Sequence, residues 1–175
     1  MKRVVVLGAA GSGKSTLARW IGEWTGLPVK HLDQLHWLPH WTPRPHAERI
    51  AMVQALEQEE CWIIEGGISA TYATRLVRAD VVIWLDLPIV LRLWRVMARS
   101  WRYRGQVRPD LSGNCPERFD RETWRFLVWM WNYRNISRDK ILASLGTDGG
   151  CTPLHHLKSR SDVTEFMRGF EAERR

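Results

Sequence analysis

The sequence predicts an α/β fold of three layers, in which a central parallel sheet of about five strands is flanked by helices. Three observations predict this fold. Short runs rich in Val, Ile and Leu alternate along the chain with longer segments of helical periodicity. A glycine-rich octapeptide joins the first strand-like run directly to the first helical segment. The chain has 175 residues, of which 45% are hydrophobic, and this is enough for a core between such layers.

Strands are predicted where short apolar runs end at a turn or an acidic residue. The predicted strands are residues 4–7, 29–32, 61–64, 81–85 and 154–157. The first of them precedes Gly8, and the third and fourth lead into Glu65 and Asp86. Parallel strands of this kind are covered by helices on both faces of the sheet.

Helical segments fill the intervals between the strands. The predicted helices are residues 15–24, 46–59, 71–77, 89–103, a segment that ends near 131, 137–145 and 161–173. A loop that contains Pro39, Pro43 and Pro45 precedes the second of these helices. The sequence contains no internal repeat and no long linker, so residues 1–175 are interpreted as one domain.

Composition and charge limit the classes of protein to which this chain can belong. No apolar run approaches the roughly eighteen residues of a membrane span, so we expect no membrane contact. Three scattered cysteines lack metal-binding spacing and favour a reducing cytoplasm. The net charge of +7 favours anionic ligands, either phosphorylated small molecules or nucleic acid. Most of the eleven tryptophans are expected in the core.

Residues 8–15 read Gly-Ala-Ala-Gly-Ser-Gly-Lys-Ser and fit the phosphate-binding loop (P-loop, or Walker A) pattern G-x-x-x-x-G-K-[ST]. Its glycines let backbone N–H groups approach an anion closely, and the following helix points its N-terminal amides at the same place. Lys14 is expected to bind the β- and γ-phosphates of ATP, and Ser15 to be a ligand of Mg²⁺. The predicted nucleotide-binding residues of the loop are Gly8, Gly11, Ser12, Gly13, Lys14, Ser15 and Thr16.

Polar residues follow three of the predicted strands, at the edge where ligands bind in parallel sheets. Asp33 comes after the second strand, Glu65, Gly66 and Gly67 follow the third, and Asp86 ends the fourth. An acidic residue there would hold Mg²⁺, directly or through water, or orient a substrate hydroxyl. The alternative is that each acidic residue caps a helix.

Arginines recur at helical spacing in the segment 89–103. Arg92, Arg95, Arg99 and Arg102 are predicted to line one helix face. The adjoining face, formed by Leu91, Trp94, Ala98 and Trp101, is predicted to pack on the sheet. Because arginine binds phosphate oxygens in a fork, the stripe and the Gly/Pro loop after it predict a lid at about residues 100–120 that closes over a polyphosphate. A solvated basic face is the alternative.

Several segments together resemble those of adenylate-kinase-like P-loop kinases. They are the phosphate loop, residues 32–33, 62–66 and 85–88, and Arg95 with Arg99. Residues 31–37, 102–105, 108–110 and 115–120 further resemble the small bacterial FlaR-type P-loop proteins, which are also labelled DNA-topology-modulation proteins. The resemblance covers about residues 2–166.

The resemblance implies a nucleoside-monophosphate-kinase-like fold with a lid and an acceptor segment at about residues 33–60. It implies that Arg95 and Arg160 lie near the adenine and that Arg99, Arg134 and Arg138 act on the transferring phosphate. With Lys14 and Asp33, the last three form the predicted catalytic set.

The sequence also departs from adenylate kinases. Two arginines that grip the acceptor's phosphate in that family, after the Asp33 and Glu65 positions, are missing here, so AMP is not the expected acceptor. His36 is a candidate substrate residue, and Arg75 is a candidate to compensate for the missing arginines. Glu65 stands where relatives have an aspartate. The expected function is a Mg²⁺-dependent kinase for a small nucleotide, nucleoside or hydroxylated metabolite, as a monomer or homodimer. A nucleotide-gated nucleic-acid-binding protein that acts on DNA topology is the alternative.

Overall fold

A five-stranded parallel sheet occupies the centre of the protein in its computed structural model, which describes residues 1–108, 111, 115–147 and 152–172. The strands of this sheet are β1 (Arg3–Gly8), β2 (Val29–His31), β5 (Trp62–Glu65), β6 (Val81–Leu85) and β7 (Leu154–Leu157). Two further short strands, β3 (Trp37–Leu38) and β4 (Thr42–Pro43), pair antiparallel in a separate hairpin. The spatial order of the main sheet is β2-β5-β1-β6-β7. The predicted fold class is confirmed.

Helices cover both faces of this sheet. They are α1 (Lys14–Thr25), α2 (Leu32–His36), α3 (His46–Glu57), α4 (Tyr72–Arg78), α5 (Ile89–Arg102), α6 (Arg121–Asn132), α7 (Arg134–Thr147) and α8 (Arg160–Ala172). One face of the sheet forms a core with α4 and Ile141 of α7, and the other with α1 and α8. None of the helices within the described ranges combines the length and the apolar character that a membrane crossing requires.

Most predicted boundaries lie within two residues of those in the structure, but two regions differ by more. The loop that was expected to begin after the second strand contains α2 and the β3–β4 hairpin, which includes Pro43 in its edge strand. Helix α7 begins at Arg134, three residues before the predicted start, so Arg134 and Arg138 lie on one continuous helix. The predicted end of the last helix, residue 173, and part of the predicted lid, residues 109–110 and 112–114, lie outside the described residues.

The expected burial of the tryptophans is wrong for most of them. All eleven lie within the described residues. Trp62 and Trp84, which belong to the central strands β5 and β6, are fully buried. Those on α5 and α6 face solvent instead, because these helices pack on the rest of the protein through smaller side chains such as Val96 and Leu127. The exposed tryptophans are Trp24, Trp94, Trp101, Trp124, Trp129 and Trp131.

The predicted orientation of α5 is also wrong. Trp94 and Trp101 are 58% and 64% exposed, whereas Arg92 is buried. The physical reason is a pair of hydrogen bonds to the phosphate loop. Arg92 Nε donates to the carbonyl of Ala10 at 3.0 Å, and Arg95 Nη1 donates to the carbonyl of Ser12 at 2.9 Å. These bonds turn the arginine face of α5 toward the loop and leave the tryptophans outside.

Candidate active site

The phosphate loop connects the buried strand β1 to α1 through three glycines with positive φ: Gly8 (146°), Gly11 (75°) and Gly13 (96°). Two of these positions also lack space for a side chain. A Cβ on Gly11 would lie 2.4 Å from the carbonyl oxygen of Arg92, and one on Gly8 would lie 2.7 Å from that of Leu85. Glycine is therefore required at both positions, because β6 and α5 lie directly against the backbone of the loop.

Polar side chains of the loop and of the first turn of α1 are candidates to bind an anion. Lys14 Nζ donates a weak hydrogen bond of 3.4 Å to the carbonyl of Ala9, so its ammonium lies across the loop that precedes it. The hydroxyl of Ser12 is buried and has no hydrogen-bond partner among the described residues. Ser15 and Thr16 follow in the first turn of α1. The arrangement can present a cation and backbone amides to an anion.

Glu65, at the end of β5, lies beside the loop. Its side chain is 2% exposed, and its Oε1 accepts a hydrogen bond of 2.7 Å from Nδ1 of His31 at the end of β2. Burial raises the pKa of the Glu65 carboxyl, but the bond from His31, the charge of Lys14 and a hydrogen bond from Ser15 outweigh burial and leave the pKa below its ordinary value. An ionised carboxylate and the Ser15 hydroxyl therefore lie together.

The side chains described above are of the types that bind a polyphosphate and Mg²⁺. The loop, here called the glycine cradle, has three glycines with positive φ, and the buried Ser12 hydroxyl on it is a donor without a hydrogen-bond partner among the described residues. Hydroxyl and carboxylate oxygens, such as those of Ser15 and Glu65, are the ligands that Mg²⁺ prefers. Within the described part of the chain, no three His, Cys, Asp or Glu side chains group as a metal site.

The acceptor segment contains Asp33 and His36 on the short helix α2. Asp33 is exposed, whereas His36 is half-buried and its Nδ1 lies 2.7 Å from Nη1 of Arg49 on α3. The guanidinium donates, so this nitrogen is the acceptor of a neutral imidazole. Burial, and then the charge of Arg49, lower the pKa of His36, while Asp33 partly opposes them. Gly66 and Gly67 follow β5, and Gly66 has a φ of 119°.

Arg75 is fully buried. Its guanidinium donates to the carbonyls of Gly66, Ile68 and Thr71 at 3.2–3.3 Å. Burial lowers its pKa to about 10, although the charge of Glu57, whose Oε1 is 3.9 Å away, raises it. These contacts fix the loop after β5 and leave Arg75 without the exposure that a direct bond to an acceptor requires.

Arg99 faces the lid segment. Its Nε is 3.9 Å from Oε1 of Glu117, and Nε of Arg108 is 2.6 Å from the same oxygen. The other oxygen of Glu117 accepts a hydrogen bond of 3.1 Å from Ser100. Glu117 is buried, so one carboxylate joins α5 to both sides of the lid loop.

Residues 115–117, here called the strap, also contact the β3–β4 hairpin. Trp41 Nε1 donates to the carbonyl of Pro116 at 2.9 Å, and Cys115 Sγ donates to that of Leu38 at 3.3 Å. The strap therefore links the acceptor segment to the residue expected at the transferring phosphate, Arg99.

The second pair of predicted catalytic arginines lies on α7, beside the start of the loop. Arg138 Nε donates to Oδ2 of Asp86 at 3.0 Å, and Nε2 of His156 lies 3.1 Å from the same oxygen. Asp86 is thus engaged by basic side chains and does not cap α5. A small cavity of about 10 Å³ here is lined by Ala9, Trp84, Leu85, Asp86, Arg92, Arg134, Ser137, Arg138 and Ile141.

The residues predicted near an adenine are brought together. Arg95 lies beside Gly13, where its Nη1 would be 3.3 Å from an added Cβ. Burial, and then the positive charge of Arg160 at the start of α8, lower the pKa of Arg95. The two guanidinium groups are therefore close enough for their like charges to repel one another.

Sequence reasoning missed three residues of this region. His31, Arg49 and Glu117 engage Glu65, His36 and Arg99, respectively. No pattern in the sequence indicates the role of His31, because only the register of β2 against β5 in the structure makes residues 31 and 65 neighbours. No pattern indicates Arg49 and Glu117 either, because loops and helix packing bring them to their partners.

The comparisons with known proteins agree with this fold. Shikimate kinase from Acinetobacter baumannii in complex with shikimate is 14% identical, with a TM-score of 0.57 over 99% of this chain and 94% of that one. Shikimate kinase from Bacteroides thetaiotaomicron is 16% identical, with a TM-score of 0.54 over 97% and 98%. TT1252 from Thermus thermophilus is 17% identical, with a TM-score of 0.51 over 98% and 97%.

At such identities the likeness concerns the fold. The chain has the architecture of the P-loop kinases. No family model and no curated protein sequence matches it.

Proposed function

We propose that this chain is a kinase that transfers the γ-phosphoryl group of ATP, with Mg²⁺, to a small hydroxylated acceptor. The observation that carries the proposal is the convergence of the glycine cradle, Lys14, Ser15 and the ionised Glu65 at one edge of the sheet. The fold shared with shikimate kinases supports it, as does the resemblance to adenylate-kinase-like and FlaR-type proteins. Its place would be the cytoplasm, where the free thiols of Cys61 and Cys115 would remain reduced.

The residues of the loop would bind the phosphates. Backbone amides from Gly8 to Thr16 and the ammonium of Lys14 would hold the oxygens, and the Ser12 hydroxyl would gain its missing partner. Arg95 and Arg160 would contact the adenine side. When bound, ATP with Mg²⁺ would supply the phosphoryl group and part of the charge neutralisation, with Ser15 as a ligand of the ion.

The remaining arginines and the acceptor segment would complete the site. Arg99, Arg134 and Arg138 would stabilise charge on the phosphoryl oxygens, as lid arginines do in phosphoryl transfer. For Arg99 and Arg138 this requires leaving the carboxylates that hold them now. Asp33 would orient the acceptor hydroxyl and take its proton, beside His36, Gly66 and Gly67.

The test is ATP consumption with Mg²⁺ across nucleoside monophosphates, nucleosides and hydroxylated metabolites, with shikimate included because a protein of similar fold binds it. We expect one class to stimulate turnover, and Lys14→Ala to reduce it by about a hundredfold or more. Lys2→Ala, at the opposite end of β1, is the matched control and should retain activity. Turnover unaffected by Lys14→Ala would refute the proposal.

A second candidate, a nucleic-acid-binding protein gated by nucleotide, is favoured by one surface. Exposed tryptophans on α5 and α6, among them Trp101 and Trp124, alternate with exposed arginines such as Arg102 and Arg125. Aromatic side chains among cations suit single-stranded nucleic acid. This candidate predicts binding to DNA or RNA that weakens steeply with salt, and absence of binding at low salt would eliminate it.

A further inference from the structure

His31 and Glu65 are neighbours across two strands. They are register partners in the parallel pairing of β2 with β5, so their side chains leave the sheet on the same face. Nδ1 of His31 is 2.7 Å from Oε1 of Glu65, and the side chains are 10% and 2% exposed. Ser15 and the charge of Lys14 act on the same carboxylate. Glu65 is therefore held between β2 and the phosphate loop.

The hydrogen bond from His31 restricts the conformational freedom of the Glu65 side chain. A glutamate side chain has one more rotatable bond than an aspartate, so its carboxylate is less well oriented unless a partner fixes it. A bond from an N–H group to an ionised carboxylate is short and strong in a buried place. Such outer partners orient the groups that serve a metal, and their loss typically weakens metal affinity by about 10–100-fold.

We propose that His31 is a positioning residue, which holds the Glu65 carboxylate in the orientation that serves the Mg²⁺ bound with ATP at Ser15. The inference rests on the proposed function, because it concerns the same nucleotide site. His31 acts through Glu65 and makes no contact with the nucleotide. The Glu65 carboxylate requires a donor at the position of Nδ1. The other ring nitrogen of His31, Nε2, has no part in this positioning role.

This geometry defines a matched series of variants. In His31→Asn the amide nitrogen lies close to the place of Nδ1 and can donate to Glu65. In His31→Gln the amide lies farther out, near the place of Nε2, and in His31→Ala there is no donor. His31→Gln also keeps a polar side chain at this largely buried position, so it tests the inference even if His31→Ala folds poorly.

The experiment measures the affinity of each variant for a non-hydrolysable ATP analogue by calorimetry, once with Mg²⁺ and once with EDTA. The ratio of the two dissociation constants is the gain from magnesium. We expect this ratio to fall by about 10–100-fold in His31→Ala and His31→Gln, and to remain close to the wild-type ratio in His31→Asn. Affinity in EDTA should change little in all three variants.

Two results would overturn the inference while leaving the proposed function intact. The first is a wild-type ratio in both His31→Ala and His31→Gln. The second is an equal loss of affinity with Mg²⁺ and with EDTA, which would mean that His31 supports the structure in general. If the wild-type protein itself bound the analogue without any gain from Mg²⁺, the proposed function would fail and the inference with it.

Discussion

The phosphate loop and the acceptor segment meet at the same edge of the sheet but are held in place differently. The loop is held by backbone contacts. It follows β1, which lies between β5 and β6, and Gly8 and Gly11 lie against the carbonyls of Leu85 and Arg92. The acceptor segment is held by a few side-chain bonds, such as those from Trp41 to the strap and from Arg49 to His36. The phosphate loop is therefore preformed, whereas the acceptor segment can open at a lower free energy.

Gly11→Ala tests the preformed half and has the largest expected effect. The added Cβ would meet the Arg92 carbonyl at 2.4 Å at a φ of 75°, so we expect a loss of about 3 kcal/mol from left-handed strain and overpacking together. Gly26→Ala is the matched control, since its φ is 72° and its surroundings are open. It should lose about 1 kcal/mol. Denaturant unfolding of both variants measures the difference, and equal losses would contradict the prediction.

Glu117→Gln tests the bonds that join the lid to α5. It removes the negative charge that Arg108 and Arg99 face at Glu117, so we expect a loss of about 2 kcal/mol in the free energy of unfolding. Glu122→Gln breaks an exposed pair with Arg125 and should cost less than about 0.5 kcal/mol. If thermal unfolding gave the same small change for both variants, the strap would not be a stabilising contact.

Trp41→Phe removes one hydrogen bond between the β3–β4 hairpin and the strap while keeping an aromatic ring. The bond to the Pro116 carbonyl is expected to contribute about 1 kcal/mol. Hydrogen exchange should become faster in residues 37–43, with that of β1 unchanged. Trp94→Phe, at an exposed position of α5, is the control and should leave both regions as they are. Faster exchange throughout the protein would indicate that the two halves do not open separately.

Low pH should reduce the stability of the acceptor segment through His36. This is the smallest of the expected effects. Burial and Arg49 lower its pKa below the ordinary 6.5, so the unfolded chain binds the proton more readily than the folded protein. Stability is therefore full above pH 6.5 and falls as the pH drops from there through the folded-state pKa, with a slope of at most about 1.4 kcal/mol per pH unit. His36→Asn, whose amide oxygen can accept from Arg49 without titrating, should lose less stability between pH 7.5 and 5. Identical pH profiles by thermal unfolding would exclude this role.

The sequence predicted the sheet and the phosphate loop because both depend on local pattern. Buried β-branched runs mark β1, β5 and β6, and the loop's glycines are required by its own curvature. Register between distant strands cannot be deduced from such patterns, so the pairing of His31 with Glu65 was missed.

The helix α5 shows why periodicity failed elsewhere. Its arginine and tryptophan stripes were both recognised, but which stripe faces inward depends on the phosphate loop. The carbonyls of Ala10 and Ser12 accept hydrogen bonds from Arg92 and Arg95, and this outweighs the burial of Trp94. A pattern of hydrophobic residues cannot reveal such acceptors, because they belong to backbone far away in the chain.

The strap has a thermodynamic consequence. A hydrogen bond joins Trp41 to Pro116, and the next residue, Glu117, forms an ion pair with Arg99. A ligand that draws Arg99 away from Glu117 is therefore expected to change the free energy of holding the β3–β4 hairpin. By linkage, a ligand that moves the hairpin must change the affinity at Arg99 by the same factor. The two sides of the site would then not bind their ligands independently, and the affinity measured for either one would depend on whether the other is present.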